Sequence, residues 1–203
     1  MGKKLYVREY YMNKIDGFID SDLIKVITGI RRCGKSCFMQ TVMNKLYERG
    51  VSEKDIIDIN LDKRGYKNIK TPEQLEQIID KKLLDDDYKY LFIDEIQNVK
   101  GFEEIINAYR EEGNISIFIT GSNSYLLSGE LATKLTGRYV EIEMFPLNFY
   151  EFIDMKKFFV CLFAVLLLFG ALSFTSGCSK EENTHTRYEI IAEYVPENNM
   201  LTG

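Results

Sequence analysis

The chain has 203 residues, enough for one domain with an appendage, and its apolar content of 45% is ample for a hydrophobic core. The formal net charge of −5 argues against a broad nucleic-acid-binding surface. The four cysteines form no Cys-x-x-Cys pair and the single histidine lies far from the first three of them, which argues against a zinc site.

A phosphate-binding pattern follows a short first segment. Residues 3–20 favour a helix in part and carry no recognisable chemistry. Residues 23–28 are mostly apolar and rich in β-branched side chains, which predicts a buried strand. This strand runs into a Gly-x-x-x-x-Gly-Lys-Ser pattern at 29–36, and an amphipathic helix is predicted over 35–48.

The residue types in this pattern match the chemistry of a triphosphate. Gly29 and Gly34 allow a tight turn whose backbone N–H groups point inward at phosphates. Lys35 supplies a point charge to the β and γ phosphates, and the Ser36 hydroxyl supplies a ligand for Mg²⁺. The predicted nucleotide-binding residues are Gly29, Ile30, Arg31, Arg32, Cys33, Gly34, Lys35, Ser36 and Cys37.

Two cysteines lie in and just after this loop. Cys33 and Cys37 are interpreted either as small packing residues or as thiols that put the loop under redox control. In both cases a reduced setting is expected, which predicts a cytoplasmic location for residues 1–154.

The next elements lead to a pair of acids. Residues 56–61 predict a second strand, and a helix is predicted over 71–84, opened by a capping box. Residues 88–93 predict a third strand that ends in Asp94 and Glu95, the Walker B arrangement. Asp94 can hold the Mg²⁺ hydration shell, and Glu95 can activate a water molecule as general base.

Two further strands complete the predicted sheet. A helix over 102–112 precedes a strand over 115–120, and a polar turn follows it. Ser122 or Asn123 in this turn is a candidate sensor of the γ-phosphate; the alternative is that both are turn residues that cap a short helix.

A fifth strand is predicted over 139–144, directly after Arg138. Arg138 is a candidate contact to a phosphate in its own or a neighbouring subunit, and the alternative is an ordinary surface guanidinium. Five strands separated by helices predict an α/β protein: a three-layer α/β/α domain with a mostly parallel sheet and its site at the carboxyl ends of the strands.

These segments together resemble the AAA-type P-loop ATPases, and more closely the ATP-binding proteins of bacteria and archaea that carry a second, uncharacterised C-terminal domain. The resemblance covers nearly all of residues 5–153. It is carried by 26–36 (Val-Ile-Thr-Gly-Ile-Arg-Arg-Cys-Gly-Lys-Ser), 92–97 (Phe-Ile-Asp-Glu-Ile-Gln), 119–124 (Ile-Thr-Gly-Ser-Asn-Ser), 135–138 (Leu-Thr-Gly-Arg) and 145–152 (Phe-Pro-Leu-Asn-Phe-Tyr-Glu-Phe).

The resemblance implies a strand order of 5-1-4-3-2, with ATP and Mg²⁺ as cofactors. It implies hydrolysis coupled to a partner and association as a homo-oligomer. Carried over by position, Lys35 and Ser36 bind nucleotide and Mg²⁺, Asp94 binds the metal, Glu95 is the base, and Asn123 or Ser122 is the sensor. Arg138 completes the set of predicted catalytic residues.

Family members continue into a helical lid and a second domain that this sequence does not show, so residues 1–154 are expected to be a truncated domain. Three functions follow from this expectation. The first is Mg²⁺-dependent ATP hydrolysis. The second is nucleotide binding without turnover, and the third is a membrane-anchored or lipid-anchored protein whose ATPase part is incidental.

The composition changes abruptly after residue 154. Residues 155–178 have a basic start, an uncharged stretch over 158–174 and a small-residue exit, which resembles a bacterial lipoprotein signal peptide with Cys178 as the lipidated residue. Such a segment predicts a junction between unrelated reading frames near 154/155, followed by a short, incomplete polar tail over 179–203.

Two alternatives remain for the apolar stretch. One is a membrane anchor through 158–174, with inner-membrane association if the chain is continuous, although the stretch is shorter than the about 20 residues of a typical spanning helix. The other is a core helix, which an apolar surface on all sides disfavours.

Overall fold

The computed structural model describes residues 5–83, 85–121, 134–135 and 137–157. Contacts divide the chain into two units, Met1–Val160 and Cys161–Gly203, and the second lies outside the described residues. The predicted lipidation residue Cys178, the apolar stretch over 158–174 and the polar tail therefore also lie outside them.

The observed elements follow the predicted sequence of strands and helices. In chain order they are α1 (Glu9–Asp16), β1 (Ile24–Gly29), α2 (Lys35–Glu48), β2 (Ile56–Asn60), α3 (Pro72–Asp80), β3 (Lys89–Asp94), α4 (Phe102–Glu112), β4 (Ile115–Thr120) and β5 (Tyr139–Met144). Residues 149–157 are also helical and are called the 149–157 helix below.

The described strands form one five-stranded sheet in the order β2-β3-β4-β1-β5, and each neighbouring pair is parallel. This order confirms the predicted 5-1-4-3-2 arrangement, read from the other edge. Parallel pairing needs a crossover between consecutive strands, which the helices supply. The carboxyl ends of all five strands consequently meet at one edge of the sheet.

Two hydrophobic clusters cover the two faces of the sheet. One joins Ile24 and Val26 of β1 to apolar side chains of α3 and α4. The other joins Ile27 of β1 to side chains of α1 and α2, and includes the stacked rings of Phe92 and Phe118. Successive strand residues point to opposite faces, so β1 contributes to both clusters and the fold has the predicted three layers.

The start of α3 is set by the predicted capping box. The Thr71 hydroxyl accepts a hydrogen bond from the Gln74 N–H, and the Gln74 side chain accepts one from the Thr71 N–H. The helix ends at Asp80, earlier than the predicted end at 84.

A lysine is fully buried at the end of the sheet opposite the phosphate-binding loop. Lys25 in β1 donates hydrogen bonds to the Ser21 carbonyl at 2.7 Å and the Ser116 hydroxyl at 2.8 Å. Burial lowers the pKa of Lys25 to about 8, against the opposing effect of the Asp20 and Asp22 carboxylates.

This shift makes the stability of the fold depend on pH. In the unfolded chain Lys25 keeps its proton up to a pKa near 10.5, so between about pH 8 and that value the unfolded state binds more protons and stability rises with pH. Relative to Lys25→Met, the unfolding free energy of the parent should rise by about 2 kcal/mol between about pH 7 and pH 9.5. Urea unfolding of both proteins at both pH values measures this change, and a difference that does not vary with pH contradicts it.

Candidate nucleotide site

The phosphate-binding loop begins where β1 meets the end of β5. Gly29 pairs with Met144 in the sheet register and has a φ of 144°, in the region that favours glycine. A Cβ at Gly29 would lie 2.3 Å from the Met144 carbonyl oxygen and 2.7 Å from the Cys33 sulfur. The first glycine of the motif is therefore required both by its backbone conformation and by this close approach.

The loop folds around the ammonium group of Lys35. This buried group donates hydrogen bonds to the carbonyl oxygens of Gly29 at 2.8 Å and Ile30 at 3.2 Å. Arg32 and Gly34 have φ values of 70° and 104°, and such left-handed residues create the concave backbone typical of anion-binding loops. The loop thus holds a positive charge at the N-terminus of α2, where Lys35 is the first residue.

The other motif residues lie around this centre. Ile30, Arg31 and Arg32 are exposed, whereas Cys33 is buried with its sulfur toward Gly29. Cys37 is exposed in the first turn of α2, and both cysteines are free thiols.

Three adjacent strands end in polar residues beside the loop edge. They are Asn60 of β2, Asp94 of β3 and Thr120 of β4. The buried Asp94 carboxylate accepts a hydrogen bond from the Asn60 amide at 2.7 Å through Oδ2 and one from the Thr120 hydroxyl through Oδ1. Both carboxylate oxygens are thus fixed by neighbouring strands.

The same threonine also orients the second acid. The backbone N–H of Glu95 donates to the Thr120 hydroxyl oxygen at 3.1 Å, and Glu95 has left-handed backbone angles with φ at 59°. The Gln97 amide donates to Oε2 of Glu95. Thr120 therefore connects the carboxylate of Asp94 to the backbone of Glu95.

The donor set fits Mg²⁺ with a nucleotide. Each Asp94 oxygen keeps a second lone pair beyond its one protein hydrogen bond, which suits a metal that retains several water molecules. Ser36 is exposed in the first turn of α2, directly after Lys35. Ser36 and Asp94 are accordingly the residues that could hold the ion.

A cavity of about 550 Å³ lies beside the loop. Its lining is mostly apolar and comes from three parts of the chain: the segment before α1, the loop with α2, and the segment after β5. Lining residues include Leu5, Tyr6, Cys33, Cys37, Phe38 and Pro146. A volume of this size is typical of small-molecule sites.

Sequence reasoning missed Asn60 and Thr120. The available signal was that each ends a mostly apolar strand with a polar side chain, as Asp94 does. The predicted sensor candidates Ser122 and Asn123 lie outside the described residues, so that part of the prediction stays untested.

Arg138 does not reach the loop within this chain. Its backbone carbonyl accepts a hydrogen bond from the Ile24 N–H at 3.1 Å, at the start of β1, whereas the loop follows the end of β1. A six-residue strand is roughly 20 Å long, so Arg138 lies at the opposite edge of the sheet. Its exposed side chain lies 3.9 Å from Glu111, and the contact to a neighbouring subunit stays a prediction.

Membrane association is predicted from the stretch over 158–174, which lies outside the residues that the structure describes. Among these residues, none of the helices combines the length and the apolar character needed to cross a bilayer.

Comparison with known proteins identifies a family and two uncharacterised relatives. Residues 21–153 match the model of a family described as AAA domain. An uncharacterised protein of Haemophilus influenzae is 43% identical over 158 residues, covering 77% of this chain and 40% of that protein. The uncharacterised protein MJ1544 of Methanocaldococcus jannaschii is 41% identical over 135 residues, covering 66% of this chain and 29% of that protein. The chain thus spans less than half the length of these curated relatives.

Several solved structures are similar to this chain at low identity. The crystal structure of Saccharomyces cerevisiae RIF2 has a TM-score of 0.48 at 16% identity, covering 70% of this chain and 57% of that one. A DNA polymerase III gamma subunit-related protein of Thermotoga maritima has a TM-score of 0.46 at 14% identity, covering 69% of this chain and 47% of that one.

The close approach at Gly29 predicts a large cost for a single added methyl group. Gly29→Ala should lower the unfolding free energy by about 2 kcal/mol or more, because the methyl group meets the Met144 carbonyl and the backbone is strained. Gly17→Ala is the matched control, since Gly17 has a φ of −70° and no atom within 4 Å of an added Cβ. Urea unfolding compares the two variants, and equal stability would contradict the assigned role of Gly29.

Proposed function

The chain belongs to the AAA domain family, and from this premise we propose that it binds ATP together with Mg²⁺ and hydrolyses it to ADP and phosphate. The observation that carries the proposal is the link through Thr120, which fixes the Asp94 carboxylate and the Glu95 backbone. Asp94 and Thr120 end strands β3 and β4, and Glu95 follows Asp94. All three lie at the edge of the sheet where the loop around Lys35 follows β1.

The groups proposed to bind ATP all lie in or beside the phosphate-binding loop. Lys35 exchanges its hydrogen bonds to the Gly29 and Ile30 carbonyls for bonds to the β and γ phosphates. The N-terminus of α2 adds its partial positive charge. The mostly apolar cavity beside the loop has the size and the lining to receive the base and sugar.

The metal is assigned to Ser36 and Asp94. Ser36 supplies a hydroxyl ligand, and Asp94 holds metal-bound water through the lone pairs that Asn60 and Thr120 leave open. When bound, Mg²⁺ neutralises charge on the transferred phosphoryl group.

Hydrolysis needs a base next to the γ-phosphate. The Glu95 carboxylate accepts a proton from the attacking water, whose oxygen forms the new bond to phosphorus as the bond to the ADP oxygen breaks. The Gln97 amide and the Thr120 hydroxyl restrain the side chain and the backbone of Glu95, which reduces the reorganisation needed in the transition state.

Lys35 and Glu95 should affect binding and turnover differently. Lys35→Ala should weaken ATP binding by about tenfold to a hundredfold, because the phosphates lose a charged donor. Glu95→Gln should keep ATP affinity but lower kcat by about a hundredfold or more, because the base is lost. Fluorescent-nucleotide titration and phosphate release in the presence of Mg²⁺ measure the two effects, with EDTA abolishing release.

Two results would change the assignment. Equal turnover by Glu95→Gln and the parent protein would remove Glu95 from the mechanism. Saturable binding by the parent without phosphate release would replace the ATPase with a nucleotide-binding module without turnover.

The link through Thr120 has its own test. Thr120→Val keeps the shape of the side chain but leaves an Asp94 oxygen and the Glu95 N–H without their partner, so kcat should fall by about tenfold to a hundredfold with little change in ATP affinity. Thr28→Val is the matched control, because this buried threonine donates to Glu141 instead. Similar kcat values for both variants would refute the role of Thr120.

A further inference from the structure

Arg8 is a buried arginine just before α1, outside every motif of the sequence. Its Nε and Nη2 atoms each donate to the Glu151 carboxylate at 2.9 Å, in a two-pronged ion pair. Its Nη1 atom donates to the Phe145 carbonyl at 2.8 Å and the Cys33 carbonyl at 3.2 Å. One guanidinium group thus joins three segments that are distant in sequence. We call Arg8, Cys33, Phe145 and Glu151 the Arg8 cluster.

Each partner in the cluster is itself held in place. Glu151 forms a capping box at the start of the 149–157 helix: its carboxylate accepts the Asn148 N–H at 2.9 Å, and its own N–H donates to the Asn148 side chain at 2.9 Å. Arg8 lies over the Tyr11 ring at 4.4 Å, and the Tyr11 hydroxyl oxygen accepts the Phe145 N–H at 3.0 Å. Little conformational freedom is left to be lost when the ion pair forms.

The environment of Glu151 supports a charged pair. Partial burial opposes its negative charge, but the hydrogen bonds from Arg8 and from the Asn148 backbone outweigh that effect and hold the pKa of Glu151 below its ordinary value. The carboxylate therefore stays ionised opposite Arg8 at neutral pH.

The contact to Cys33 is the one that bears on the nucleotide site. Cys33 lies between Arg32 and Gly34, which both have a positive φ. A glycine-containing loop is intrinsically flexible, so a hydrogen bond from a fixed cation to a carbonyl at its centre restricts its conformations. Arg8, Cys33 and Pro146 also line the same cavity beside the loop.

We propose that Arg8 is a positioning residue of the nucleotide site: held by Glu151, it fixes the Cys33 carbonyl and keeps the phosphate-binding loop in the shape that receives phosphates. This inference rests on the proposed nucleotide-binding function. It assigns the segment before α1 and the Pro-Leu-Asn-Phe-Tyr-Glu motif after β5 to the support of the loop. A buried ion pair contributes little net stability by itself. Such pairs can instead hold a particular arrangement of segments, here the position of the Cys33 carbonyl.

The test uses the 203-residue chain and two variants, each of which breaks the ion pair between Arg8 and Glu151 by changing one of its two partners. Glu151→Gln removes the charge but retains an acceptor for the helix cap, and Arg8→Gln removes the guanidinium. Arg49→Gln is the matched control, because Arg49 is exposed just after the C-terminal end of α2, where it binds Asp16 and Asp20. Urea unfolding identifies the variants that remain folded, and Glu151→Gln carries the test if Arg8→Gln does not fold.

The first measurement is the alkylation rate of Cys33 by iodoacetamide without nucleotide, followed by peptide mass spectrometry. Cys33 is buried and should react about tenfold faster when Arg8 or Glu151 is changed, because the loop opens more often. Exposed Cys37 is the internal reference and should react at an unchanged rate. Arg49→Gln should react like the parent at both thiols.

The second measurement is ATP affinity in Mg²⁺. Glu151→Gln should bind ATP about tenfold more weakly than the parent, while Arg49→Gln binds equally well. Unchanged Cys33 labelling and unchanged affinity in folded Glu151→Gln overturn the role of Arg8 and leave the proposed function intact. A folded parent that binds no nucleotide overturns the proposed function instead, and the affinity role of Arg8 with it.

Discussion

Strand β1 pairs in parallel with both β4 and β5, and this central position determines where the functional groups lie. Because all strands run the same way, the loop after β1 leaves the sheet at the edge where β2, β3 and β4 also end. Strand β4 separates β1 from β3, so Thr120 at its end lies between the loop and the acids. On the side of β1 away from β4, the close packing of Gly29 on Met144 of β5 fixes the start of the loop.

The edge of the sheet where the strands end carries buried polar groups, which would destabilise the fold if they had no hydrogen-bond partners. Lys35, Asp94 and Thr120 are nearly or fully buried, and removing a charge from water without a partner costs several kcal/mol. Each finds its partners within the protein: loop carbonyls for Lys35, and the Asn60 and Thr120 side chains for Asp94. In the proposed function, phosphates take over the hydrogen bonds of Lys35, and metal-bound water uses the lone pairs that Asp94 keeps open. Neither step needs a large rearrangement of the strands.

The Arg8 cluster extends the same logic beyond the sheet edge. Arg8 belongs to the segment before α1, and it contacts both the loop and the 149–157 helix at the opposite end of the described chain. One guanidinium group is therefore shared by the loop and the start of that helix. The helix exposes Phe149 and Tyr150, so its orientation also determines where these aromatic side chains point.

Local sequence patterns were sufficient to predict the strands, the phosphate-binding loop, the acids at 94 and 95, and the parallel α/β/α class. These follow from short-range periodicity and spacing, which depend on neighbours a few residues apart. The structure decided what depends on long-range contacts: Thr120 and Asn60 as partners of Asp94, Arg8 beside Cys33, and Arg138 at the far edge. A polar residue that ends a strand, or an isolated arginine, has no local pattern of its own. Its partner is set only when the sheet order and the packing of the segments around it bring distant residues together.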